Sequence, residues 1–180
     1  MEMNFCRRCG GKLTHVQGNM FSCDGRHTLF ANSAPSTAVF LITENNQVLL
    51  ARRSHEPRKG MLDAPGGFVD GEETFEQTIA RELQEELGLS PNEYSKPVFL
   101  CSGIGHYPYA GEEVPVVTCA FWARLSPKAR PKASDDVGSI VINDIDDIDP
   151  DELHDDDIRQ GLMALKNEFH KIAELKAIIY

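Results

Sequence analysis

Two kinds of apolar pattern follow one another along the chain after Pro35. Ser36 to Thr43 and Gln47 to Arg53 are nearly continuous aliphatic or β-branched runs separated by Glu44-Asn45-Asn46, which predicts two strands joined as a hairpin. Val98 to Gly105, Val114 to Leu125 and Gly138 to Asn143 carry the same strand character and are expected in the same sheet. Between them the period changes: Phe75, Ile79, Leu83 and Leu87 recur every four residues, the spacing of one helix face. Thr74 with Gln77 has the capping-box pattern at the start of that helix, and Gly88 is placed to end it. A second helix is predicted from about Asp156 to Ala177, with Ile158, Leu162, Leu165, Phe169, Ile172 and Leu175 on its apolar face. Strands mixed with two amphipathic helices predict an α/β fold, a mixed sheet sandwiched by helices.

Two stretches depart from this pattern. Ser54 to Val69 is a long loop punctuated by Pro57, Gly60, Pro65, Gly66 and Gly67, and loops of that length in compact domains are usually functional. The first thirty-odd residues are rich in Cys, Gly, Arg and His and poor in either periodicity, so residues 1–33 read as a small module before a main domain at 34–180. Within it, Cys6, Cys9, Cys23 and His27 give C-x2-C-x13-C-x3-H. A unit this small buries too little apolar surface to fold unaided, and a structural Zn²⁺ held by these four would supply the missing free energy. His15 competes as fourth ligand, and a ribbon without metal or redox use of Cys6 and Cys9 are the other readings.

The formal charge of −10 changes the picture less than it first suggests. Eleven acids and no Lys or Arg fall between residues 134 and 157; without them 17 acidic residues face 18 basic ones. The acidic stretch reads as a solvated loop leading to a helix, with a metal-ligand contribution from one or two members as the sharper alternative. No apolar run approaches the roughly 18 residues of a membrane helix, and no signal segment opens the chain, so a soluble, cytoplasmic protein is the default expectation. Cys101 and Cys119 lie in strand patterns and are expected to be buried packing residues; His55, His154 and His170 have no partner spacing that distinguishes them from ordinary surface or helix positions.

The strongest chemical signal is Arg81-Glu82-x-x-Glu85-Glu86. On a helix, Glu82, Glu85 and Glu86 crowd into an arc of about 100°, where like charges repel unless a cation joins them. Hard carboxylate oxygens in such a cluster suit Mg²⁺ or Mn²⁺, which also bind substrate phosphate oxygens.

Taken with Gly67, Glu73, Leu83, Gly88 and Leu89, this segment resembles the signature of the Nudix hydrolase family, G-x5-E-x7-R-E-U-x-E-E-x-G-U with U aliphatic, at every specified position. The chance of such a match is about 10⁻¹⁰ per window, so coincidence is negligible. Arg52-Arg53 at a strand end and Pro65-Gly66-Gly67 before the helix are usual companions of the box, and the amino-terminal ribbon makes the chain similar to the NADH pyrophosphatase and ADP-ribose pyrophosphatase groups of the family. The resemblance implies hydrolysis of a nucleoside diphosphate linked to another moiety, by attack of water at phosphorus. It further implies Glu82 and Glu86 as principal metal ligands, Glu85 as a further ligand or proton acceptor, the Gly66 carbonyl as a ligand from the loop, and Glu73 with Arg81 as a structural salt bridge. Asp136 falls where relatives carry a later acidic ligand. Family members differ in the general base: Glu82 or Glu85 comes first, with Asp135, Asp136, Glu112 and Glu113 as the others.

Substrate is less defined. NADH-cleaving relatives carry Ser-Gln-Pro-Trp-Pro-Phe-Pro after the box, whereas this chain has Ser102 to Tyr109 without that pattern, and Leu62 stands where the loop usually has tryptophan. Tyr107 and Tyr109 either stack on a base or pack under the sheet, and Arg52, Arg53, Arg58 and Lys59 are candidate phosphate contacts. The leading expectation is ADP-ribose, a nucleotide sugar or a related compound; NADH or a nucleotide-capped RNA end is the alternative, the latter the one nucleic-acid partner expected. A non-catalytic module sensing ADP-ribose or NAD is the reading from another class, with the weakly basic ribbon touching a partner or nucleic acid; the intact box argues against it. The assembly is open, with homodimers common among similar enzymes.

Overall fold

The computed structural model describes residues 3–109 and 111–179, with side chains described up to Ile172. Residues 3–30 form a three-stranded antiparallel sheet of β1 (Leu13–Gln17), β2 (Met20–Cys23) and β3 (Thr28–Phe30). The sequence gives no strand signal there because runs of 3–5 residues are too short to establish a period. Their core is small, Cys6, Leu13, Cys23 and Leu29, with Met3 and Phe21 partly covered.

The larger sheet is built on β4 (Ala34–Ile42) and β5 (Gln47–Arg53). Its order is β6-β5-β4-β8-β7, where β6 is Leu62–Asp63, β7 is Val98–Tyr109 and β8 is Glu112–Arg124; β9 (Val137–Asp144) pairs with β5. β4 runs parallel to β8, and the other pairings are antiparallel. Helix α1 spans Phe75–Leu87 and α2 spans Asp156–Ile179. Strand alternation assigns the two faces: Val39, Leu41 and Leu49 pack with Ile79, Leu83 and Leu87 of α1, whereas Ala38, Phe40, Val48 and Leu50 pack with Ile158, Leu162 and Leu165 of α2. The mixed sheet is thus sandwiched between helices.

Several local expectations change. The loop after β5 contains the short strand β6, and β7 runs four residues beyond Gly105, which places Tyr107 and Tyr109 in a long hairpin arm. Cys101 and Cys119 are half-buried rather than buried, on the edge strand β7 and its neighbour β8. Ile172 is exposed, and Leu175 lies outside the described side chains.

The hairpin geometry creates a gap that positions the site. β4 and β5 pair only at Leu41–Leu49 and Ile42–Val48 and then separate. The chain from Leu62 to Val69 fills the gap: Leu62 and Asp63 pair with Arg52 and Ala51 of β5, while Val39 N donates to Pro65 O (2.8 Å) and Thr37 N to Gly67 O (2.9 Å). Glycine is required here. Gly66 has φ of +147°, and a Cβ on it would lie 2.2 Å from Thr37 O.

Candidate active site

α1 begins with the reciprocal capping box, Gln77 N donating to Thr74 Oγ1 and Thr74 N to Gln77 Oε1. This fixes the register that presents Arg81, Glu82, Glu85 and Glu86 to the loop while Ile79, Leu83 and Leu87 face the sheet. Loop and helix meet closely. Gly66 N donates to Glu86 Oε2 (3.1 Å), and a Cβ on Gly67 would lie 2.3 Å from Glu82 Oε1.

Arg81 is the hub. Its Nε and Nη2 donate to the two oxygens of Glu73 (2.9 and 3.0 Å), Nη2 also to Phe68 O (3.0 Å), and Nη1 to Glu82 Oε1 (2.7 Å) and Glu85 Oε2 (3.1 Å). Glu73 also accepts from Thr78 Oγ1 and the Asp70 amide. The bidentate pair ties the loop before α1 to the helix, and the remaining guanidinium hydrogens hold two box carboxylates in one orientation. Hydrogen bonds from Arg81, with those of Thr78 and Asp70 and against some desolvation, hold the Glu73 carboxyl down at about 2. The stability this pair gives is therefore present above pH 4.5 and lost as pH falls toward 2. Glu73→Gln is expected to abolish that acid dependence and to lower turnover about tenfold to a hundredfold with the fold intact, checked by pH-dependent thermal unfolding and kinetics.

The box carboxylates have different surroundings. The Glu82 side chain is 13% exposed and that of Glu85 46%. Burial raises the Glu82 carboxyl despite its contact with Arg81. Burial, with the charges of Asp63, Glu82 and Asp136, raises Glu86 to about 9. A buried carboxylate among other carboxylates, with a single backbone amide donor, lacks a counter-charge; an oxygen-binding divalent cation fits that deficit and that donor set.

These residues border a cleft of about 460 Å³ that also takes in Arg53, Asp63, Gly66, Phe68, Tyr107, Asp135, Asp136, His154, Asp155 and Asp157. Asp135 and Asp136 arrive from the turn before β9, with Ser54 N and Oγ donating to Asp136 O and His55 Nδ1 3.4 Å from Asp136 Oδ1. The other candidate bases, Glu112 and Glu113, stand exposed at the β7–β8 turn and do not line the cleft. Arg52 does not line it either, its Nη1 donating to Gly60 O. Arg53 does, and is bonded to Asp63 and Pro57 O. Tyr107 packs edge-on against Phe68 with centroids 5.5 Å apart, whereas Tyr109 is 70% exposed and away from the cleft.

The acidic stretch and His154 depart from the solvated positions expected of them. Leu153 bridges to Leu62 and His154 N donates to Leu62 O, so the segment before α2 docks on β6. There His154 is covered, its Nε2 3.0 Å from Asp63 Oδ2, while Asp63 also takes Arg53 and Asp155 pairs with Arg58. Nδ1 lies 3.5 Å from Asp155 Oδ2 without hydrogen-bond geometry. Asp155 and Asp157 are buried, unlike the solvated loop expected of them. His170 is also paired, with Asp146 at 3.0 Å. The pairings of His154 with Asp63, Asp155 with Arg58 and His170 with Asp146 span 24 to 97 residues and leave no local spacing from which they could be read.

In the amino-terminal sheet, one donor atom from each of Cys6, Cys9, Cys23 and His27 lies within 4.8 Å of the others. The separations of 3.5 Å (Cys6 Sγ–His27 Nδ1), 3.6 Å (Cys9 Sγ–Cys23 Sγ) and 3.7 Å (Cys23 Sγ–His27 Nδ1) match the edges of a tetrahedron with metal–ligand bonds of about 2.0–2.3 Å. Burial opposes ionisation of Cys6, but hydrogen bonds from the Arg8 and Cys9 amides and from Cys9 and His27 side chains outweigh it and bring the thiol down to about 6. His15, the competing fourth ligand, instead bonds Gly18 O at 2.8 Å and packs on Phe21.

A family model described as NUDIX domain matches residues 32–163. An ADP-ribose pyrophosphatase of Methanocaldococcus jannaschii is 45% identical over 58 residues, 32% of this chain and 34% of that one. A NAD-capped RNA hydrolase NudC of Vibrio atlanticus is 36% identical over 90 residues, 49% of this chain and 33% of that one. The matches therefore span about a third of these relatives' length. In fold, the crystal structure of a NUDIX hydrolase from Nitrosomonas europaea superimposes with a TM-score of 0.68 over 89% of this chain and 88% of its own, at 21% identity.

Proposed function

The chain belongs to the Nudix family, and from that premise we propose that it is a divalent-metal-dependent pyrophosphohydrolase converting a nucleoside diphosphate linked to X, plus water, into a nucleoside monophosphate and X-phosphate. The observation that carries this reading is the buried Glu86 carboxylate, without a counter-charge and beside Glu82 on α1, pressed against the Pro65–Gly67 turn in a cleft open to solvent.

Glu82 and Glu86 would hold the metal, with the Gly66 carbonyl from the loop and Asp136 from the opposite side. Mg²⁺ or Mn²⁺ bound there would neutralise the pyrophosphate oxygens and acidify a water. Glu85, the most exposed of the three, would accept the attacking water's proton, with Arg81 holding its carboxylate beside Glu82. Arg53, held by Asp63 along the cleft, offers positive charge to the phosphates. Zn²⁺ in the Cys6, Cys9, Cys23 and His27 cluster would be structural, since all four protein ligands are supplied.

ADP-ribose or a related nucleotide conjugate is the leading substrate class, in keeping with the archaeal relative's name. The second reading, NADH or a NAD-capped RNA end, is favoured by the NudC relative; the Ser102–Tyr109 segment, a regular β-strand without the pattern of NADH-cleaving members, speaks against it. Turnover measured over ADP-ribose, NADH, nucleotide sugars and diadenosine polyphosphates, each with Mg²⁺ and Mn²⁺, tests this. ADP-ribose or a nucleotide sugar is expected to give the highest kcat/KM; failure of the whole panel would favour a sensor.

A further inference from the structure

The metal-facing side of the cleft leaves its other side unexplained. Among the described residues, the buried side-chain nitrogen and oxygen atoms without a hydrogen-bond partner are Thr37 Oγ1, His154 Nδ1 and Asp157 Oδ1, and all three residues line this cleft. Asp157 is the most demanding of them. It sits in the first turn of α2, only 6% exposed, and its Oδ2 accepts from Thr118 Oγ1, itself 1% exposed on β8.

The neighbouring strand is shaped around this carboxylate. A Cβ on Gly105 would stand 2.7 Å from Asp157 Oδ1, and one on Gly103 2.9 Å from Asp157 Cα. β7 thus forgoes side chains at two positions, and α2 seats an acid where an apolar residue would pack, yet one oxygen receives no donor from the protein. A carboxylate oxygen accepts hydrogen bonds, and burying one with an empty acceptor is disfavoured. A donor can reach it from the cleft that Asp157 lines. It does not belong to a phosphate, which the carboxylate repels.

We propose that Asp157, backed by Thr118 and the Gly103–Gly105 strand, is a specificity subsite for a neutral, hydrogen-donating group of the nucleoside, a base amino N–H or a ribose O–H, and this rests on the pyrophosphohydrolase reading above. The phosphates then lie toward α1 and the nucleoside toward α2. Phe68, 41% exposed and braced edge-on by Tyr107, adds a ring on which a base can stack at the same cleft.

Binding of AMP, IMP and 2′-deoxy-AMP, measured by calorimetry with Mg²⁺ on the wild-type chain and on Asp157→Asn, tests this without turnover. The wild type is expected to bind AMP about tenfold or more tightly than one of the two analogues, and Asp157→Asn to lose a similar factor for AMP but less than about twofold for that analogue. Loss of discrimination through IMP assigns the base amine; through 2′-deoxy-AMP, the ribose hydroxyl. Equal wild-type affinity for all three ligands, no binding of AMP at millimolar concentration, or an equal penalty of Asp157→Asn on all three overturns the subsite, and the wild-type comparison holds even if the variant fails to fold. Discriminating binding without cleavage of any pyrophosphate would sink the hydrolase reading alone, whereas cleavage without discrimination would sink the subsite alone.

Discussion

Replacing Glu86 with glutamine is expected to lower kcat/KM on the order of 10³-fold while making the metal-free protein more stable at pH 8 than the wild type. The two effects have one cause. Glu86 is buried beside Asp63, Glu82 and Asp136, and its carboxyl is raised from 4.5 to about 9. The stability contributed by its neutral form is fully present below pH 4.5 and is lost progressively as pH rises through about 9, because the unfolded chain has already released the proton that the folded chain must take up. Glutamine has the same shape and no proton to take up, so its advantage grows with pH across that window and reaches on the order of 1–3 kcal/mol. It offers no anionic oxygen to a metal, so the activity goes. Mg²⁺ should reverse the order, stabilising the wild type more as pH rises and releasing protons as it binds. Thermal unfolding from pH 5 to 9, with and without Mg²⁺, alongside kinetics, checks both parts. A variant that loses stability and activity together would mean that Glu86 is a packing residue.

The second large effect concerns residues 3–30. Their buried apolar set is Cys6, Leu13, Cys23 and Leu29, of which two are proposed ligands, and so small a core does not hold three short strands unaided. Removing zinc with a chelator, or replacing Cys23 with serine, is expected to unfold this sheet. Backbone hydrogen exchange in β1–β3 should rise to the rates of an unstructured chain while β4, β5 and β8 keep their protection. Unchanged exchange in β1–β3 after complete zinc removal would contradict the proposed metal role.

What could be read from the chain, and what could not, divides along contact distance. Helix α1, its cap, its glutamates and the alternating faces of β4 and β5 are set by residues within one or two turns or strand steps of each other, and their spacing survives as a pattern. Arg81 with Glu73 is only eight residues apart and belongs to the same motif. His154, Asp155 and Asp157 were legible only as part of an acidic run. Their burial depends on Leu153 docking against Leu62 and on glycines at 103 and 105 admitting the first turn of α2, contacts 52 to 91 residues apart. The candidate substrate residues divide for the same reason. Arg52 and Arg53 are adjacent, yet strand alternation sends one to Gly60 O outside the cleft and the other to Asp63 inside it. The extra length of β7 likewise carries Tyr109 away while leaving Tyr107 on Phe68.

The central claim, that the α1 carboxylates serve hydrolysis of a pyrophosphate bond, is tested most directly by product analysis with ADP-ribose in heavy-oxygen water, with Mg²⁺ or Mn²⁺, for the wild type and Glu86→Gln. AMP and ribose 5-phosphate are expected in equal amounts, with one heavy oxygen from water on one of the two phosphates and almost no product from the variant. Cleavage at any other bond, or wild-type rates in the variant, would contradict it.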